Sequence, residues 1–426
     1  MHHHYRPAVH HQKQKPMMKA LTKTPLQNVL LFVTLVISIL LQFPQPELDL
    51  DYYTSLALDH VNTSEKGKNT LAHAASPLKG VNIVITGATS GLGLDLTKAL
   101  YNLGGTVIAI GRSESKLSHV VDLLVNDSSN RDNDNKRIVP ILADLQDLDS
   151  VSAAADEIRS KFRSIDYLIN NAGLSNGPLT EIPTPQGYDM LFGVNYLSHF
   201  LLTEKLLPNL KRSKLGNGSR VVQIASTAHM MVNGGDLVPS TSSSSPWASQ
   251  NSDSHLHRTR RYSNSKLAQI YHTRSLARDL KNANVKVVAL CPSWVATHIG
   301  GASVKLFLDI FAFRSDGWGL APILFAMFHP DVGTANIEGN ELLFNDYVTN
   351  CNFLEGKVLT INESIMKLVP LPFYRETCGC ICGVLLIGLQ KLFADVNFRS
   401  TASVAYDDEK QDALYMWSKE VVTPWM

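Results

Sequence analysis

The chain reads as an α/β protein, a doubly wound parallel sheet with helices on both faces and an N-terminal transmembrane helix ahead of it. Three observations carry that reading. Short β-branched apolar runs alternate with helical stretches between Val81 and Leu290, a glycine run lies between the first such run and the first helix, and residues 26–43 hold no charge.

Residues 1–25 form a basic tail, with Arg6, Lys13, Lys15, Lys19 and Lys23. The histidines at positions 2, 3, 4, 10 and 11 read as part of a disordered tract rather than a metal site. The stretch 26–43 is polar only at Gln27, Asn28, Thr34, Ser38 and Gln42 and, with its flanks, is long enough to cross a bilayer. Its exit, Phe43-Pro44-Gln45-Pro46, offers no small-x-small cleavage site, so the anchor is expected to stay. Basic residues before it and Glu47, Asp49 and Asp51 after it point to the lumen for the following chain by the positive-inside rule, and the side is left open. Sequons at Asn62, Asn126, Asn217 and Asn362 permit that side without fixing it. Residues 44–76 read as a linker.

The first strand is expected at residues 81–85, followed by the turn Gly87, Ala88, Thr89, Ser90, Gly91, Leu92, Gly93 and then a helix. Glycines here permit a tight turn, close approach of backbone N–H groups to a pyrophosphate, and packing of helix on strand. The cradle is therefore assigned to Gly87, Ser90, Gly91, Leu92 and Gly93. The spacing is Gly-x3-Gly-x-Gly. A second strand at residues 105–110 ends in Gly111-Arg112. A carboxylate at that end would bind a ribose 2′-hydroxyl, whereas an arginine favours a 2′-phosphate, so NADP (NADPH) is the expected cofactor.

Downstream, Tyr262 and Lys266 stand four apart, on one face of a helix. An ammonium there is expected to lower the phenol from its ordinary value of about 10 and make it a usable general acid or base.

With these motifs in place the chain resembles the short-chain dehydrogenase/reductase family, a Rossmann-type fold, from about residue 77 to 350 and again near 408–422. The resemblance implies several further roles. Asp144, after a strand at 137–143, would contact the adenine. Asn171, in Asn170-Asn171-Ala172-Gly173 after a strand at 167–169, would support the sheet and the adenosine side. Asn195 would hold a proton-relay water, and Ser226, closing a strand at 220–225, would act with Tyr262 and Lys266 in catalysis. Thr297 would contact the nicotinamide amide, although Ser293 stands where the family usually has glycine. The segments around Asn195 and Tyr262 are similar to the retinol dehydrogenase and WW-domain oxidoreductase branch.

A Ser-rich loop, about residues 238–257, and an addition at 351–403 extend this core. Within the addition, residues 378–389 could form a membrane-dipping helix, a packed core helix or a palmitoylated surface patch. Residues 404–426 read as a helix completing the domain. The five cysteines lack the spacing of a zinc site, so no metal is expected. With 18% charged residues and a formal charge of +1, nothing recommends a nucleic-acid partner. The expected protein is a membrane-anchored NADP(H)-dependent oxidoreductase of the endoplasmic reticulum. Its partners would be a small lipophilic alcohol or carbonyl substrate, the membrane, and a second copy in a homodimer. The alternative is a catalytically silent binding or scaffold protein on the same fold.

Overall fold

The computed structural model describes residues 53–55, 57–58, 76–126, 137–175, 182–234, 237, 255–292, 320–329, 332, 347–349 and 405–426. All of them lie in the second of two compact units, Gln45–Met426. Its centre is a seven-stranded sheet in the order β3-β2-β1-β4-β5-β6-β7, every neighbouring pair parallel. The strands are β1 Asn82–Thr86, β2 Thr106–Gly111, β3 Ile138–Leu142, β4 Tyr167–Asn170, β5 Ser219–Ile224, β6 Val285–Cys291 and β7 Tyr347–Thr349. Chain order reverses direction between β1 and β4, the switch point at which such sheets open a crevice.

The helices are α1 Gly91–Asn102, α2 Glu114–Val125, α3 Leu148–Lys161, α4 Ser198–Leu210, α5 His255–Asp279, α6 Ala321–Phe328 and α7 Asp408–Val422. Alternation along the strands sends side chains to two cores. Ile83, Ile85, Val107 and Ala109 pack with α1, α2 and α6. Val84, Ile108 and Ile110 face the other side, with α3, α4, α5 and α7. Both faces are covered, which is why the strands read as continuous apolar runs. Pro140 donates no backbone hydrogen bond and sits in β3, at the sheet's edge, where it is tolerated.

Three differences from the sequence reading stand out. Cys291, expected in a loop, ends β6. Helix α5 opens at His255, inside the Ser-rich stretch, whose preceding residues 238–254 lie outside the described ones. Residues 26–43 and 351–403 lie wholly outside them, and among the described residues no helix is long and apolar enough to cross a membrane.

Candidate active site

Because the strands are parallel, their C-terminal ends share one edge of the sheet, and most of the expected site residues follow such an end. Gly87 follows β1, Arg112 follows β2, Asp144 lies just past β3, Asn171 follows β4 and Ser226 lies just past β5.

At β1 the chain turns through Gly87, whose φ of 68° favours glycine. Ser90 precedes α1 in extended conformation and makes no side-chain cap, and the first turn of α1 carries no acid. That leaves a helix N-terminus suited to an anion. Gly91, Leu92 and Gly93 form its opening residues. A Cβ on Gly93 would lie 2.2 Å from Gly87 O and 2.5 Å from Asn171 Nδ2. The turn is therefore a backbone cradle that only a missing side chain allows, and it fits a dinucleotide pyrophosphate. Asn171 braces it: its Nδ2 donates to Thr86 O at 2.9 Å and its N–H to Thr86 Oγ1 at 3.0 Å. Arg112 is exposed beside the N-cap Ser113 of α2. Asp144 is half-buried and accepts from Gln146 N–H at 3.0 Å.

On the other side of the switch point the groups are buried or half-buried. Asn195 lies in a π-helical segment, Gly193–Leu197, ahead of α4. Its Oδ1 accepts from Leu174 N–H at 2.7 Å, and its Nδ2 donates to Leu174 O at 2.9 Å and Ser265 Oγ at 3.0 Å. The Ser226 hydroxyl lies close enough to Tyr262 to favour the ionised form of its phenol. One turn along α5, the Lys266 Nζ sits 5.7 Å from the Tyr262 ring centroid. It donates to Ile224 O at 2.8 Å and to Gln269 Oε1 at 3.0 Å. The structure thus brings Ser226, Tyr262 and Lys266 together, with Asn195 linked to them through Ser265, whose hydroxyl donates to Tyr262 O at 2.7 Å. Thr297 and Ser293 lie outside the described residues.

Residues 81–242 match the family described as short chain dehydrogenase. Polyprenol dehydrogenase of Homo sapiens is 30% identical over 277 residues, covering 62% of this chain and 77% of that protein. Retinol dehydrogenase 12 of Homo sapiens is 30% identical over 285 residues, covering 64% of this chain and 79% of its own length. The chain belongs to the short-chain dehydrogenase family. Retinol dehydrogenase 14 of Mus musculus is more similar, 36% identical over 230 residues and 52% of this chain, and the match spans 64% of that relative's length.

The electrostatics of this short-chain dehydrogenase differ from the sequence expectation in one respect. Lys266 does not draw the Tyr262 phenol down. Burial pushes the phenol up to about 12, outweighing the opposing effect of Ser226, and nearby Cys291 adds to the rise. Burial also lowers the Lys266 ammonium to about 8, against a smaller opposing effect of Cys291. The physical reason is that burial outweighs charge: the hydrogen bonds of the buried ammonium go to Ile224 O and Gln269 Oε1.

Sequence reasoning missed three supports of this site. His199 is fully buried, with Nε2 2.9 Å from Thr86 Oγ1 and Nδ1 3.0 Å from Asn195 O. A carbonyl only accepts, so Nδ1 carries the proton and Nε2 accepts from the threonine hydroxyl. Burial lowers this imidazole to about 4. Arg261, beside Tyr262, pairs with buried Asp189, whose other oxygen accepts from Phe192 N–H at 2.9 Å. Gln269 is the third. The spacing of Asn195 to His199 and of Lys266 to Gln269, one helical turn each, was the available signal.

Proposed function

We propose that the chain is a membrane-anchored NADP(H)-dependent oxidoreductase that interconverts a lipophilic alcohol and its aldehyde or ketone. The observation that carries this reading is the grouping of Ser226 and Tyr262, with Lys266 one turn on, at the same sheet edge as the glycine cradle. A scaffold protein has no need of a buried ammonium beside a half-buried phenol.

Gly87, Ser90, Gly91, Leu92 and Gly93 would hold the pyrophosphate, Asp144 and Asn171 the adenosine side, Arg112 a 2′-phosphate, Thr297 the nicotinamide amide and Lys266 the nicotinamide ribose. Bound there, the nicotinamide supplies or accepts the hydride. Ser226 donates a hydrogen bond to the substrate oxygen and polarises it. Tyr262 delivers the proton to that oxygen, or takes it in the reverse direction. A phenol held at about 12 is protonated at neutral pH, the form that acts as the acid when a carbonyl is reduced. Asn195 holds Leu174 and Ser265, and through them the geometry around Tyr262.

The names of the relatives, two retinol dehydrogenases and a polyprenol dehydrogenase, support an apolar substrate of retinoid, sterol or lipid type. Residues 26–43 would anchor the enzyme in the endoplasmic reticulum membrane, where such substrates concentrate. The detergent-solubilised full chain, screened with NADPH and NADH against lipophilic aldehydes, ketones and alcohols, tests the reading. Turnover that depends on NADPH supports it. Absence of both turnover and cofactor binding points to the scaffold alternative.

A further inference from the structure

We infer that Gln269 is a positioning residue that holds the Lys266 ammonium and sets its charge state, and through it the pH range in which the enzyme grips its cofactor. The inference rests on the nicotinamide reading above and goes beyond it to a residue outside the expected set. Its basis is geometric. Lys266 is buried, and of its two acceptors one is the main-chain oxygen of Ile224, which no substitution alters, while the other is the Gln269 side chain at 3.0 Å.

The amide is held in a costly environment. Gln269 is itself buried and its Nε2 has no hydrogen-bond partner among the described residues, so the side chain leaves its amino group unpaired while presenting its oxygen to the lysine. The reverse orientation would aim an N–H at an ammonium, and is excluded while Lys266 is charged. A purely structural core position would be better served by a leucine of similar volume, which leaves no orphaned polar atom.

The sign follows from which form of Lys266 is stabilised. Burial disfavours the ammonium and lowers it to about 8. An oxygen accepting from the charged form opposes that, so removing it must lower the lysine further, and replacing it with a carboxylate must raise it. Below its own value the lysine is charged and can donate to ribose hydroxyls. Above it, that donor strength is lost and affinity falls.

Few other groups near Lys266 titrate in the same window. Tyr262, on its own helix, ionises well above it, and His199 near the π segment and His229 on the turn after β5 ionise near 4. From β6, the Cys291 thiol interacts with Lys266. Arg220 lies at the opposite end of β5, and the charges of α7 engage the far end of α5, where Lys419 meets Asp279 at 3.0 Å and Asp408 meets Arg278 at 3.2 Å.

The experiment measures NADPH and NADH binding to the detergent-solubilised full chain by cofactor fluorescence between pH 6 and 10. The proteins are wild type, Gln269→Leu and Gln269→Glu, each also with Cys291→Ala so that the thiol cannot account for a shift. Binding needs no identified substrate. Wild type should lose affinity with a midpoint near the Lys266 value of about 8. Gln269→Leu should move that midpoint down and Gln269→Glu up, each by about one pH unit. Midpoints that coincide with wild type, or that move together in one direction, would overturn the role of Gln269 alone. If Gln269→Leu fails to fold, Gln269→Glu decides: an upward shift supports the inference and an unmoved midpoint refutes it. Wild-type protein that binds neither cofactor at any pH would overturn the nicotinamide reading itself, and this inference with it.

Discussion

The two halves of the sheet edge recognise their targets by opposite means. On the β1–β2–β3 side the work is done by backbone and by the absence of side chains: Gly93 lies where a Cβ would strike Gly87 O, and the charged Arg112 stands in solvent. On the β4–β5–β6 side it is done by buried polar side chains, among them Asn195, Lys266, Gln269 and His199, and by the half-buried Tyr262. The first half is a matter of shape, which hardly responds to pH. The second is a matter of charge kept in a low dielectric, where burial rather than sequence neighbours sets each proton. The comparison predicts that substitutions in one half should alter binding and in the other half chemistry and pH dependence.

The largest effect should appear in acid. His199 and His229 are lowered by burial to about 4 and His272 to about 3, while the unfolded chain protonates its histidines near their ordinary value of about 6.5. Stability is then intact above about pH 6.5 and lost as pH falls through about 4 and below. Melting temperature against pH should show this limb, and His199→Gln should make it shallower. A limb that is the same in both proteins would remove His199 from the account.

Next is Tyr262→Phe, which keeps the ring and removes the acid. It should bind NADPH as wild type does yet lose turnover by at least about 100-fold. Near-normal turnover would refute the proton role. Gly93→Ala, in the other half, should cost about 2 kcal/mol of stability through the clash and weaken NADPH by about tenfold or more. Calorimetry and cofactor titration check it, and an undisturbed cradle would mean that the helix does not meet the turn as described. The smallest effect is Arg112→Asp. At an exposed position it should leave melting unchanged while weakening NADPH about tenfold and relatively favouring NADH. Equal use of both cofactors by wild type would defeat the argument from Arg112.

The shape half was more legible in the sequence than the charge half. Glycine at 87, 91 and 93 between a strand and a helix announces a backbone cradle directly, and β1 and β2 lie within a residue or so of their expected bounds. The order of Asn195, Ser226, Tyr262 and Lys266 was equally readable, because it matches the motif order of the family that the chain resembles. What could not be read was how those groups affect one another. That Lys266 turns to Ile224 O and Gln269 instead of the Tyr262 oxygen depends on the end of β5 passing beneath α5. The bridge from Thr86 through His199 to Asn195 joins residues 113 apart in sequence to others one turn away, and no local pattern encodes it. The proposed anchor at residues 26–43 and the contact of Thr297 lie beyond the described residues and stand on sequence alone.

The central claim is that this sheet edge supports direct transfer between nicotinamide and a carbonyl carbon. The most direct measurement gives the full chain NADPH deuterated at C4, one stereoisomer at a time, with a lipophilic aldehyde or ketone that it turns over, and locates the label by mass spectrometry. One stereoisomer should place deuterium on the carbon of the product alcohol, with none exchanged into water, and Tyr262→Phe should suppress the labelled product. Alcohol formed without deuterium from either isomer would contradict the account.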